Sequence, residues 1–366
     1  VEPGKYVISP DVDDVISDYA NNGINIVLGL NVGTGENRPD KTKFKSNEDI
    51  ERYGNWVRFM VSHFRDRIRY YEIWNEPDTS GPSADIAWGN YVNLINHIIP
   101  IIREEDPNAK IVIGAIGGVE DWYRGEEDAE LGLDYLENVL KSGIAPLVDV
   151  ISWHPFYGTR PDDPYYQDYP QLVTKKIKEV AVSEGFEGEY LAEEIAWATW
   201  AEEGGVANVV SEGVATKYYA RAILMHRGLN VTVTFQGKYL VITNLQNTIH
   251  NINTIMAGAE PVELPLVIES EAMNIKVYGF SLPNGDNLVA LWTDGVGVDE
   301  DAGVSATLTL NGFSDQKVIG IDVLKGFQQP LMTNNENGNL AIQNLIVRDY
   351  PLILHIAKSS TEYPTK

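Results

Sequence analysis

Along the first two thirds of the chain, apolar residues recur with a helix-like period in stretches separated by short β-branched runs, and the two patterns alternate. Ser9 as N-cap, Pro10 at the first helical position, a stripe of Val12, Val15, Ile16 and Tyr19, and Gly23 as a stop predict the first helix. Residues 24–30 then read as a buried strand. The capping box Ser46-Asn47-Glu48-Asp49 opens a second helix with Ile50, Tyr53, Val57, Met60, Val61 and Phe64 on one face, leading into a strand over 69–74. The alternation continues with helices over 86–105 (bent at Pro100), 133–141, 169–182, 214–226 and 245–256, and strands over 110–115, 148–153, 189–194 and 231–235. Strict alternation predicts a parallel sheet with crossover helices, which closes into a barrel at eight strands. Six are seen here.

After Gly258 the pattern changes to short alternating runs at 275–282, 288–292, 306–310, 318–324, 340–347 and 352–356, separated by turns such as Pro283-Asn284-Gly285. That is the signature of an antiparallel β-sandwich. The expected architecture is α/β: a (β/α)8-type barrel over 1–258, incomplete at its N-terminal side, followed by a β-sandwich over 259–366. A length of 366 residues exceeds one usual core and agrees with two domains. No flexible linker marks the boundary near Ala259, so firm packing across it is expected.

Composition narrows the chemistry by exclusion. With no cysteine, disulfides, thiol nucleophiles and Cys-ligated metals are ruled out. A formal charge of −25 disfavours nucleic acid and acidic membranes as partners, because both are bound by basic surfaces. No run approaches the length of a membrane-spanning helix, and Val1 opens no recognisable secretory signal.

What remains is carboxylate chemistry at strand ends. Ile73-Trp74-Asn75-Glu76-Pro77 ends one predicted strand and Ala192-Glu193-Glu194-Ile195-Ala196-Trp197 ends another. In a β/α barrel the C-terminal ends of all strands meet at one face, however distant in sequence. Cleaving a sugar acetal needs one neutral carboxyl to protonate the leaving oxygen and one ionised carboxyl to meet the oxocarbenium-like centre. Glu76 and Glu194 are the candidates, with Asn75 placed to hold a sugar hydroxyl. Neighbouring strand residues point to opposite faces, so only one of Glu193 and Glu194 can readily enter the barrel mouth. Trp74 and Trp153 read as core, whereas Trp197 is the candidate for stacking on a sugar ring. The acidic run 294–301 reads as a solvated turn in preference to a calcium loop. No metal or cofactor is expected.

Trp74-Asn75-Glu76-Pro77 together with Glu194-Ile195-Ala196-Trp197 resembles glycoside hydrolase clan A. The tract 71–78, with Asp149-Val150-Ile151-Ser152-Trp153-His154-Pro155-Phe156-Tyr157-Gly158, is most similar to family 39. The resemblance implies a carbohydrate substrate, Glu76 ending strand four as general acid/base, and Glu194 ending strand seven as nucleophile. It implies that His154 and Tyr157, on strand six, orient the nucleophile. It further implies retention of configuration with the carboxyls roughly 5 Å apart, activities of the β-xylosidase or α-L-iduronidase kind, and extracellular placement.

The chain also departs from that family. Numbering the strand before Glu76 as the fourth makes 24–30 the third, and strands one and two are not found. No residue takes the role of the Arg often drawn from strand two, and the eighth strand, 231–236, lacks the Trp common there. A six-strand arc would leave two open edges. Three explanations stand: the chain is a fragment, residues 1–8 fill the gap, or a second copy pairs with the edge as a homo-oligomer. Two functional classes follow, a retaining β-glycosidase and an impaired or truncated relative that binds carbohydrate or serves assembly.

Overall fold

The computed structural model describes residues 6–31, 44–79, 85–125, 131–200, 208–234, 243–314 and 316–358. Two compact units make up the chain, one of residues 1–155 with 171–193, the other of residues 156–170 with 194–366.

The chain opens with α1 (Pro10–Asn21) and β1 (Val27–Gly29), followed by α2 (Asn47–Phe64) and β2 (Tyr70–Glu72). The Ser46 hydroxyl accepts the Asp49 N–H at 3.2 Å, which satisfies one of the donors a helix start leaves without an internal partner. Ile50, Tyr53, Val57, Val61 and Phe64 are buried along α2 at helical spacing, and Met60 is half-buried. Next come α3 (Trp88–Glu105), which continues through Pro100, β3 (Lys110–Ile116), α4 (Val119–Arg124), α5 (Gly132–Val139) and β4 (Val150–Trp153). The chain continues through α6 (Pro164–Leu172), α7 (Glu179–Ser183) and β5 (Glu189–Ala192). Strands β1 to β5 pair in parallel in sequence order. β3 is buried from Ile111 to Ile116, as expected of a parallel strand covered on both faces.

The register of β3 on β4 shifts between Ile113 and Ile116, where Gly114 has φ +114°. A Cβ at Gly114 would lie 2.3 Å from the Ser152 carbonyl oxygen, so only glycine permits this bulge.

The start of the barrel differs from expectation. Of the predicted α1 stripe only Ile16 is buried; Val12, Val15 and Tyr19 are 50%, 50% and 44% exposed. β1 is half-buried along its whole length, not buried. The cause lies in the topology: among the described residues β1 pairs with β2 alone, so its other edge and the α1 face beside it lack a neighbouring β/α layer. Residues 1–5, which belong to the segment expected to fill that gap, lie outside the described residues.

The second unit holds α8 (Glu212–Gly228), the sixth strand β6 (Thr232–Val233) and α9 (Thr243–Ile255). Phe235 and Gln236 of the predicted last barrel strand lie outside the described residues. β7 (Glu260–Pro261), β8 (Leu266–Ser270), β9 (Ile275–Ser281), β10 (Asn287–Thr293), β11 (Val304–Leu310) and β12 (Lys317–Asp322) follow, then β13 (Gln328–Pro330), β14 (Asn334–Glu336), β15 (Asn339–Val347) and β16 (Leu352–Ala357). They form two antiparallel sheets ordered β13-β12-β16-β10-β9-β7 and β14-β15-β11-β8. Val289, Leu291, Leu354 and Ile356 of the first sheet share a buried core with Leu308, Leu310, Leu340 and Ile342 of the second, which makes the pair a sandwich. The architecture is thus an incomplete β/α barrel followed by a β-sandwich. Among the described residues no helix is long and apolar enough to cross a membrane.

Helix α8 is buried nearly all round, and its polar side chains are accounted for one by one. Lys217 Nζ donates to Asp349 Oδ1 at 2.8 Å, and Arg221 donates to the carbonyls of Asp349 and Gly295 at 2.8 and 2.6 Å. His226 Nδ1 donates to the Ala222 carbonyl at 2.7 Å while Nε2 accepts the Tyr169 hydroxyl at 2.7 Å. A helix from before residue 258 is therefore fastened to strands beyond it.

Candidate active site

The end of β2 is fixed by backbone bonds that outlast the strand. Ile73 N donates to the Val112 carbonyl at 2.9 Å, Glu76 N donates to the Ala115 carbonyl at 3.0 Å, and Tyr91 Oη donates to the Ile73 carbonyl at 2.7 Å. Between these bonds the chain is forced through left-handed conformations at two residues with side chains, Trp74 (φ 71°) and Glu76 (φ 46°). Each costs on the order of 1–3 kcal/mol and persists only where the surroundings enforce it. For Trp74 the enforcement is packing, since the buried indole meets Phe44 and Tyr53 edge-on at 4.9 and 5.7 Å. Trp153 is likewise fully buried, so both tryptophans belong to the core as expected.

Asn75 and Glu76 are half-buried, which leaves the amide and the carboxylate in reach of solvent. From the end of β4, the buried His154 sets Nδ1 2.9 Å from Glu76 Oε1. Its backbone N–H donates to the Ile116 carbonyl at 2.9 Å, which holds the ring's base in line with the sheet. The ring thus meets the acid/base candidate directly. Below Glu76, Ser152 Oγ donates to the buried Glu72 at 2.7 Å and accepts the Ala115 N–H at 2.8 Å.

Asp78, two residues beyond Glu76, was not singled out in the sequence. Its buried carboxylate accepts the N–H groups of Gly117, Gly118 and Gly132 at 3.0, 2.9 and 3.0 Å. Burial pushes its pKa above the usual aspartate value, against the pull of those three donors. The available signal was the acid directly after Asn-Glu-Pro, read together with the glycine pair after β3.

In the second unit Glu194 also has a left-handed backbone, φ 50°, and is half-buried. Tyr157 Oη donates to its Oε2 at 3.1 Å. Tyr157 forms a parallel bridge with Ala196, closed by Ala196 N to the Phe156 carbonyl (3.0 Å) and Gly158 N to the Ala196 carbonyl (2.7 Å). Glu193, by contrast, is only 5% exposed. Just past the strand end, one carboxylate is thus buried and the next accessible.

Trp197 does not present the stacking face expected of it. It is 1% exposed, its Nε1 donates to the Thr159 carbonyl at 2.9 Å, and Phe156, Tyr218 and Tyr219 lie 5.8, 5.5 and 5.2 Å from its ring. The indole is the centre of an aromatic cluster because Phe156, Tyr218 and Tyr219 are all large and face the same position. Trp200, three residues on, is 45% exposed. In the acidic run Asp299 and Glu300 are exposed, while its two ends are tied inward: the buried Asp294 accepts from Trp292 Nε1 at 3.1 Å, and Asp301 accepts the Asp349 N–H at 2.7 Å.

Residues 8–175 match the family Cellulase (glycosyl hydrolase family 5). Among solved structures the chain is similar to a family 39 glycoside hydrolase from the gut symbiont Bacteroides cellulosilyticus WH2, with 17% identity over 97% of this chain and 72% of that one and a TM-score of 0.65. The chain thus has a fold similar to that of this glycoside hydrolase. A glucosidase from Croceicoccus marinus (12% identity, 98% and 84% covered, TM-score 0.61) has a similar fold. So does a family 5 glycoside hydrolase from Bacteroides vulgatus ATCC 8482 (10%, 100% and 79%, 0.60). The matched segment contains Asn75, Glu76, Asp78, His154 and Tyr157 and ends before Glu194.

Proposed function

We propose that the chain is a retaining glycosidase that cleaves β-linked glycosides, with Glu76 as general acid/base and Glu194 as nucleophile. One observation carries the reading: both carboxylates are half-exposed residues held in left-handed backbone just past a strand end, and one short tract supplies each with a partner, His154 for Glu76 and Tyr157 for Glu194. Backbone strain enforced at two acids has no packing purpose that smaller residues would not serve better.

In the first step the Glu194 carboxylate attacks the anomeric carbon as the bond to the leaving oxygen breaks, and the Glu76 proton passes to that oxygen. In the second, Glu76 takes a proton from water, the resulting hydroxide equivalent attacks the same carbon, and the Glu194 ester bond breaks with its electrons returning to the carboxylate. Two inversions give net retention, which needs the carboxyls roughly 5 Å apart. The Asn75 amide holds a sugar hydroxyl. In this scheme residues 1–258 do the chemistry and 259–366 support them.

The test is hydrolysis of a panel of aryl β-glycosides by wild type, Glu76→Ala and Glu194→Ala, with the anomer of the first-formed product read by NMR. Hydrolysis with a β-anomeric product, lost throughout in Glu194→Ala and lost on the poorer leaving groups in Glu76→Ala, is the expected result; an α-anomeric first product would overturn retention. The exposed α1 face favours a second reading, a chain that binds sugar without cleaving it. A wild type inactive across the panel that still binds xylo- or gluco-oligosaccharides by calorimetry would select it.

A further inference from the structure

The loop after β3 passes directly against the Glu76 side chain. A Cβ built on Gly117 would sit 2.9 Å from both Glu76 Cγ and Glu76 Oε1, and 2.6 Å from Thr79 Cγ2. Gly117 does not have a positive φ, so its backbone is open to alanine and glycine is not there for conformational freedom. What requires glycine is the volume: the carboxylate of Glu76 occupies the space a methyl group would take.

The Asp78 carboxylate ties the loop to the turn that bears Glu76. Asp78 Oδ1 accepts the N–H of Gly117 itself, and Oδ2 accepts the N–H groups of Gly118 and Gly132. The glycines at 118 and 132 fit the same clamp closely. A Cβ at Gly118 would come to 3.0 Å from Asp78 Oδ2, and one at Gly132 to 2.4 Å from the Gly118 carbonyl oxygen. Since Asp78 and Glu76 share one short turn, the clamp ties the wall of the acid's pocket to the segment bearing the acid.

The geometry points to Gly117 and Asp78 as positioning residues for the reaction: Asp78 pins the Gly117 backbone against Glu76, and the missing Gly117 side chain leaves the one space in which the Glu76 carboxyl reaches His154. This inference rests on the assignment of Glu76 as general acid. A carboxyl displaced by a methyl group keeps its chemistry and loses its aim, and placement at the ångström scale governs the rate of proton transfer.

A leaving-group series separates aim from stability. Aryl β-glycosides with an acidic phenol, such as 2,4-dinitrophenyl, depart without a proton, whereas the phenyl glycoside needs one. Gly117→Ala is expected to lose about tenfold or more in kcat/KM, which reports the leaving-group step alone, on the phenyl substrate and less than about twofold on the dinitrophenyl one, with a near-normal thermal midpoint. Because the Thr79 methyl group also crowds the site, Gly117→Ala/Thr79→Ser keeps the contact with Glu76 while relieving the other. It should show the same selectivity, and it serves if the single variant folds poorly. Asp78→Asn, which turns an amide N–H toward one of the glycine donors, should show it too. Glu76→Ala is the reference, with the largest selective loss. If Glu76→Ala is selective and the Gly117 variants lose equally on both substrates, or on neither, positioning is overturned while the acid assignment survives. If Glu76→Ala itself is not selective, the assignment falls and the positioning role with it.

Discussion

His154 Nδ1 stands 2.9 Å from Glu76 Oε1, a contact made by a fully buried ring with a carboxylate that is still partly exposed. A ring N–H donated to a carboxylate favours its ionised form. Removing it in His154→Ala lets the acid keep its proton to higher pH, so the alkaline limb of the pH–rate profile should move upward while kcat falls. The measurement is kcat against pH on an aryl β-glycoside; a fall in kcat with an unmoved limb would mean that the ring only fills space.

The Tyr157 hydroxyl donates to Glu194 Oε2 at 3.1 Å, and no other atom of the ring is needed for that bond. Tyr157→Phe keeps the ring and removes the donor. A hydrogen bond to a charged group contributes on the order of 1.5 kcal/mol, so kcat/KM should fall roughly tenfold at unchanged thermal midpoint. Full activity in this variant would sever Tyr157 from the nucleophile.

Burial lowers the pKa of His226 from 6.5 to about 4, outweighing the support of its bond to the Ala222 carbonyl. Unfolded chains take up a proton near pH 6.5 that the folded protein refuses until about pH 4. The unfolded state therefore binds more protons in this window. Stability is full above about pH 6.5, declines as the pH falls through the window, and levels off below it, for a loss of about 3 kcal/mol. Chemical denaturation between pH 7 and 4 should show this decline, and His226→Gln should flatten it.

Lys217 and Asp349 form an ion pair at 2.8 Å with both side chains nearly excluded from water. Taking away one partner strands a buried charge, at a cost of about 3 kcal/mol or more. Lys217→Ala should lower the thermal midpoint sharply, and Lys217→Met combined with Asp349→Leu should recover much of the loss. An additive double variant would indicate that the pair is not coupled.

Much of this was legible along the chain because it is periodic or local. The Ser46 cap, the buried face of α2 and the antiparallel runs after residue 258 depend on residues three, four or two positions apart. Asn-Glu-Pro after an apolar strand is equally local. Composition fixed the rest of what sequence could, excluding thiol chemistry and basic-surface partners.

Contacts between distant segments were decided only by the tertiary structure. Nothing near Trp197 in sequence says that Tyr218 and Tyr219 will cover its ring, and nothing near His154 says that its ring will meet Glu76. The exposure of Val12, Val15 and Tyr19 has the same origin, because an apolar stripe records what a helix could bury, whereas burial depends on whether a neighbouring layer is there. Hydrophobic pattern is a property of one segment and is written in its residues; which side chain fills which space is set by the folding of several segments onto one another, and it is there that Gly117 and Asp78 take up their positions beside Glu76.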